Sequence, residues 1–438
     1  MEDKNNAEFK LETDNSGEML QDGNTKWPKS SKISLLISLC ISLVLIIVII
    51  ILAVYYNNKL SENSNKDSDS SQNNPEPNPQ IIDSYNFFGQ KYSNLTYDVG
   101  GKITNTFKSG GDNYNSSIGE INNGKDYEKN ERNIYDLYIP QYALDRKSEV
   151  NGIILWLHGG AWISGYKDYM DTFCKMFSQQ GYISATVGYT ILTNEFKEFN
   201  IFKILDEITA CIKAIKNELN ERGFNVNNLK MGIGGYSAGS HLALLYSYLI
   251  KEFDIPLEFV INFVGPIGLY SKYFYKLKSK DEPFPNITEV SLMEKAIEEG
   301  KIIPIFQGGT LDMMNLFLGN KYTNEEIRGM YYENGTIKED DENYKNLINV
   351  VKNSFITEIE DKHLLPTICI YGGIDEVVGV TPYAYLKEKA DNDGRHLDFI
   401  YSITEGHMLA FPTTPEGSMR LREAISLSMR YLKEYFGY

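Results

Sequence analysis

Apolar positions are distributed in three regimes along the 438 residues. From Ile33 to Tyr56 no charged residue interrupts the run ISLLISLCISLVLIIVIIILAVYY. A helix over these 24 positions would be about 36 Å long at ~1.5 Å per residue, enough to cross a hydrocarbon layer of about 30 Å. Residues 61–80, SENSNKDSDSSQNNPEPNPQ, have no aliphatic or aromatic side chain and predict a flexible tether. From Ile81 onward short apolar runs alternate with helical patterns. GIILWLH (152–158), YISATVGY (182–189), LKMGIGGY (229–236), FVINFVG (259–265), TICIYGG (367–373) and LDFIYSI (397–403) predict buried strands. FKILDEITACIKAIKNELN (202–220) and SHLALLYSYLIKEF (240–253) predict helices between them. This alternation predicts an α/β domain with a mainly parallel sheet covered on both faces.

The flanks of the apolar segment set an expected orientation. Lys26, Lys29 and Lys32 precede it, and only Lys59 and Lys66 follow closely. The positive-inside rule then places residues 1–32 in the cytoplasm, a transmembrane helix at 33–56, a linker at 57–80 and the body outside the cell or in a lumen. A cleaved signal peptide fits poorly, because the run exceeds the ~7–15 residues of an h-region and Ala53-Val54-Tyr55 closes it with a bulky residue. The formal charge is −16, and the tail, with seven acids against five lysines, holds little of it. Such a balance repels phosphates and argues against a nucleic-acid partner. Four cysteines do not make a disulfide framework, and no CxxC or Cys/His cluster suggests a metal. Cys174, Cys211 and Cys369 are expected as small buried apolar groups. Asn94, Asn115, Asn286 and Asn334 begin glycosylation acceptor triplets.

The chemistry starts from Gly235-Tyr236-Ser237-Ala238-Gly239, a G-x-S-x-G between a strand and a helix. A tight turn there would expose Ser237 at the C-terminal edge of the sheet, and small neighbours would permit its strained backbone. Gly232-x-Gly234 is a poor dinucleotide fingerprint, since Ser237 stands where Gly or Ala is needed. A serine nucleophile needs a base. Of five histidines, His407 lies in the loop after the last strand, where a base reaches Ser237 in the chain order nucleophile, acid, base. His241, four residues after Ser237 on the helix, is the rival, and His363 and His396 read as solvated surface residues. Asp375 follows TICIYGG and is the expected orienting acid, with Glu376 and Glu405 as carboxylate neighbours. His158-Gly159-Gly160-Ala161-Trp162 follows another strand. Its backbone N–H groups at Gly159, Gly160 and Ala161, with that of Ala238, are the expected oxyanion donors.

These parts, in this order, resemble the α/β-hydrolase superfamily, and within it the esterase and lipase branch whose oxyanion segment reads HGGG or HGGxW. Ala161 stands where many members have a third glycine. Tyr135–Pro140 is similar to the family's early edge strand, and HGGAWISGYKDY (158–169) is similar to the prenylcysteine methylesterases. The resemblance covers residues 81–438 and implies an α/β-hydrolase fold. It also implies an acyl-enzyme mechanism on carboxylic esters with no metal or organic cofactor. Residues 267–365 exceed what the family usually places there. They are expected to be a cap shaping an apolar pocket, or an insertion whose aromatics merely pack onto the sheet. A peptidase or amidase of the same fold, and a catalytically silent adhesion or receptor ectodomain, are the alternatives. The expected partners are an ester substrate, small or lipid-like, and a bilayer through residues 33–56.

Overall fold

The computed structural model describes residues 95–97, 103–105, 118–126 and 132–436, less 193–198, 251, 269–272, 280–284, 286, 288, 306–309, 334–336, 355, 357–363, 411 and 413. The expected tail, transmembrane helix and linker lie outside the described residues, as do the four acceptor asparagines and His363. Among the described residues no helix is long and apolar enough to cross a membrane. The chain divides into two units between residues 76 and 77, and the described residues all belong to the second.

Twelve strands are described. β1 (Leu95–Tyr97) and β2 (Ile103–Asn105) form a small antiparallel pair. The main sheet comprises β3 (Ile118–Asp126), β4 (Ile134–Pro140), β5 (Gly152–Leu157), β6 (Ile183–Val187), β7 (Lys230–Tyr236) and β8 (Leu257–Phe263). After β9 (Tyr275–Leu277) and β10 (Ile302–Pro304), which pair with each other, it is completed by β11 (Thr367–Gly372) and β12 (Leu397–Ser402). The eight strands run β12-β11-β8-β7-β5-β6-β4-β3, and β4 alone opposes the rest. The architecture is the expected α/β-hydrolase fold, with the strand–turn–helix at Ser237 on an inner strand.

Helices cover both faces because successive strand residues point to opposite sides. On β5, Ile153, Leu155 and Leu157 join one core with α1 (Gln141–Asp145), α3 (Ile201–Glu221), α4 (Ala238–Leu249) and α9 (Pro382–Asn392). Ile154 and Trp156 join the other, with α2 (Asp171–Gln179) and α10 (Pro415–Phe436). Both faces of β5, β6 and β11 are buried throughout, which explains their unbroken apolar runs. On β7 two glycines make room for rings: a Cβ on Gly232 would lie 2.3 Å from Phe259, and one on Gly234 2.5 Å from Trp156. The Gly232-x-Gly234 spacing therefore serves sheet packing. Asn200 starts α3 by accepting hydrogen bonds from the N–H groups of Phe202 and Lys203, both 3.1 Å.

Two expectations need correction. Tyr135–Pro140 is a strand but not the edge: β3 pairs outside it. Ile118–Asp126 reads IGEINNGKD and pairs with two register shifts, so no clean alternation marks it in the sequence. The second helix runs Ala238–Leu249 and stops four residues short of the expected Phe253, at Ile250, whose backbone is extended.

The insertion leaves and rejoins the body at one point, where the Ile356 N–H donates to the Ile267 carbonyl at 2.8 Å. Between lie the β9–β10 pair, α5 (Val290–Glu298), α6 (Thr310–Phe317), α7 (Asn324–Gly329) and α8 (Glu342–Val351). Leu311, Met314 and Phe317 are fully buried in the same core as α3 and α4, and Met313, Leu316 and Leu318 pack against it. For these side chains the packing reading holds.

Candidate active site

Ser237 follows β7 and precedes α4 at φ 54°, ψ −121°, a conformation L-residues rarely adopt. The surrounding turn over-determines it. The Ser237 N–H donates to the Phe263 carbonyl at 2.9 Å, and the Ser240 hydroxyl bridges the carbonyls of Gly235 and Phe263. The motif glycines are needed for close approach. A Cβ on Gly235 would lie 2.3 Å from the backbone of Gly239, and one on Gly239 2.1 Å from the Leu157 carbonyl oxygen.

Asp375 and His407 come from the loops after β11 and β12, which are parallel neighbours. The loops are tied together: the Gly373 N–H donates to the Ser402 carbonyl at 2.6 Å and the Ile374 N–H to the Glu405 carbonyl at 3.1 Å. Asp375 is fully buried. One carboxylate oxygen accepts from the N–H groups of Val377 (2.8 Å) and Val378 (2.9 Å), and the other faces His407 Nδ1 at 2.9 Å. His407 Nε2 lies 2.9 Å from Ser237 Oγ. The structure thus brings Ser237, His407 and Asp375 into one chain of hydrogen bonds, with the His407 side chain still partly exposed. Glu405 is buried but faces away, accepting from the N–H (2.6 Å) and hydroxyl (2.7 Å) of Thr414 just before α10. Glu376 is exposed.

The remaining described histidines serve elsewhere. His241 is fully buried, and its Nε2 lies 3.1 Å from the Ser354 carbonyl. Its ring stands edge-on to Trp162, 5.4 Å away, and 6.0 Å from Phe317 of the insertion. His158 stacks on Tyr189 at 4.1 Å and directs Nδ1 to the Gly159 carbonyl at 2.7 Å. His396 is exposed beside Asp398. Among the described residues no group of three His, Cys, Asp or Glu side chains is placed to hold a metal ion. Cys174, Cys211 and Cys369 are buried and unpaired, and burial pushes their thiols up, Cys369 to about 12.

Burial lowers both His158 and His241 from 6.5 to about 4. Between those values the unfolded chain binds protons that the folded protein excludes, so stability rises with pH. The contribution is complete above 6.5 and disappears as pH falls toward 4. Each histidine adds up to about 1.4 kcal/mol per pH unit to the slope. Urea unfolding at several pH values reads it, and His241→Gln should remove roughly half of the histidine contribution. Equal slopes for the two proteins would contradict this.

The loop after β5 puts Gly159 against the serine: a Cβ there would lie 3.2 Å from Ser237 Cβ and 2.9 Å from the Tyr236 carbonyl oxygen. Gly160, Ala161 and Trp162 all have positive φ, at 122°, 49° and 62°. The Gly160 carbonyl turns the loop by accepting from the N–H groups of Ile163 (3.1 Å) and Ser164 (2.9 Å). The N–H groups of Gly160, Ala161 and Ala238 donate to no other described backbone group. Ala161 is strained by its Cβ. Left-handed backbone costs an L-residue ~1–2 kcal/mol, against which a glycine loses ~0.4–1 kcal/mol of chain entropy. Ala161→Gly is therefore expected to raise the thermal midpoint by about 1–3 °C, and a fall on a melting curve would refute the strain.

Residues 135–287 match the family model described as BD-FAE. Among curated proteins, the chain is 27% identical over 128 residues to the probable isoprenylcysteine alpha-carbonyl methylesterase ICMEL1 of Arabidopsis thaliana, covering 29% of this chain and 25% of that protein. It is 24% identical over 151 residues to the non-reducing polyketide synthase atr1 of Stereocaulon alpinum, covering 34% of this chain and 6% of that protein. The match thus spans a quarter or less of these relatives' length. Similar solved structures include a truncated carbohydrate esterase from gut microbiota, with 15% identity, TM-score 0.47, and coverage of 71% of this chain and 98% of that one. Butyrate-bound Est2 of Thermogutta terrifontis shows 14% identity, TM-score 0.47, and coverage of 73% and 94%.

Proposed function

We propose that this chain is a serine hydrolase of carboxylic esters. The observation that carries the reading is the Ser237–His407–Asp375 relay, with both links at 2.9 Å. Buried Asp375, its second oxygen occupied by two amides, fixes His407 with the proton on Nδ1, which leaves Nε2 to accept. Ser237 Oγ attacks the ester carbonyl as its proton passes to Nε2. The oxyanion that forms is held by amides of the Gly159–Ala161 loop and by that of Ala238 at the positive end of α4. His407 returns the proton to the departing alcohol, leaving an acyl-enzyme, and water repeats the sequence to release the acid. The BD-FAE match and the methylesterase relative support ester cleavage.

Exposed apolar side chains favour a hydrophobic ester. Ile163, Tyr166 and Tyr169 project from the oxyanion loop, Val377 from the acid loop, and Ile403 and Met408 from the base loop. A prenylcysteine methyl ester fits that chemistry, and tethering through 33–56 would hold the enzyme where such substrates lie. The test is turnover of aryl esters of increasing acyl length by the full-length chain, beside a prenylcysteine methyl ester and an aryl anilide. An alkyl phosphonate should also label one serine, found by mass spectrometry on the Ser237 peptide. An absence of both turnover and labelling would overturn the reading, and anilide cleavage without ester cleavage would replace it with an amidase.

A further inference from the structure

The G-x-S-x-G pattern leaves the residue before the serine unspecified, yet here its side chain touches both the base loop and the oxyanion loop. Tyr236 is the last residue of β7, next to Ser237. Its hydroxyl donates to the backbone carbonyl of His407 at 2.6 Å, and Met408 Sδ lies 3.4 Å from the same oxygen. Its ring lies 5.6 Å from the His407 imidazole. On the other side the ring edge closes on the oxyanion loop, where a Cβ at Gly159 would come within 2.9 Å of Tyr236 Cδ1.

We infer that Tyr236 is a positioning residue, whose hydroxyl anchors the base loop to the nucleophile strand and whose ring spaces that loop from the oxyanion loop. This rests on the ester-hydrolase reading for its kinetic consequence, though not for its geometry. The His407 side chain is oriented by Asp375, but its backbone belongs to a loop extending from the edge strand β12, three places along the sheet from β7. The strand end that bears Ser237 lies beside both the base loop and the oxyanion loop. Fastening the base to that strand holds Nε2 and Oγ in register when either element moves. Burial, reinforced by the negative charge of Asp375, raises the Tyr236 hydroxyl above its ordinary value and keeps it a donor. Because the bond runs to a main-chain carbonyl, no substitution of His407 itself would reveal it.

The test is Tyr236→Phe, which keeps the ring against Gly159 and deletes only the donor. Loss of one positioning hydrogen bond should lower kcat by about tenfold. KM should stay within about twofold, because no group that binds substrate is altered. The thermal midpoint should move by less than about 4 °C. The second readout needs no turnover: the low-field proton resonance of His407 Nδ1, shared with Asp375, should broaden or shift in the variant. Tyr236→Leu, which also removes the ring from Gly159, should lower kcat further. If the wild type hydrolyses no ester, the ester reading fails, and the resonance still decides the role of Tyr236. An unchanged resonance in Tyr236→Phe, or an unchanged kcat in an active enzyme, would overturn the inference.

Discussion

Ser237→Ala is expected to lower kcat for an aryl ester by about 10⁴-fold or more, with the fold intact. Alanine supplies no nucleophile, and water cannot occupy the Oγ position with the same alignment to His407 Nε2, 2.9 Å away. What would survive is binding and the proposed oxyanion donors, which elsewhere leave a residual ~10³–10⁴-fold over the uncatalysed rate. Stability should change little, because the strain at φ 54° belongs to any residue with a Cβ, and serine and alanine share it. Steady-state kinetics with an active-site titration, beside a melting curve, separates the two effects. Ester turnover within tenfold of wild type would place the nucleophile elsewhere.

The second large effect is on the acid. Asp375→Asn should reduce kcat by about 10³–10⁴-fold while KM changes by less than about threefold. The carboxylate oxygen that accepts from Val377 and Val378 can be replaced by the amide oxygen without loss. The other oxygen would then become an NH₂, a donor facing the Nδ1–H of His407 at 2.9 Å. Two donors cannot share that contact. The imidazole would turn to its other tautomer, putting a proton on Nε2 and removing the acceptor for Ser237. Glu405 offers no substitute, since its carboxylate is committed to Thr414. Loss of less than tenfold would mean that His407 is oriented by other groups.

Much of this was legible in the sequence where burial on both faces or a motif imposed the pattern. The runs at 152–158, 182–189 and 367–373 stood out because central parallel strands admit few polar residues, and each holds a strand. The meeting of Ser237, Asp375 and His407 was legible because each follows a strand at the same edge. What escaped lacks a local signature. β3 is polar and irregular, so only its pairing to β4 defines it. Nothing in Ala161-Trp162 announces two left-handed residues, which the loop imposes through the Gly160 carbonyl. The hydroxyl of Tyr236 reaches a carbonyl 171 residues away, a contact no spacing encodes.

The protein has three tryptophans, Trp27, Trp156 and Trp162. Trp156 is sealed among Phe173, Phe177 and Phe263 beneath the sheet. Trp162 lies in the loop after β5, with His241 at 5.4 Å and Phe317 of the insertion at 4.7 Å. A protonated imidazole quenches an indole it faces, whereas a neutral one does so weakly. Burial lowers His241 to about 4, so protonation of that ring is not expected to quench Trp162 across the range in which esters would be assayed. The loop after β5 thus has an intrinsic fluorophore, and in a Trp27→Phe, Trp156→Phe background its emission would follow loop and insertion together without any attached dye.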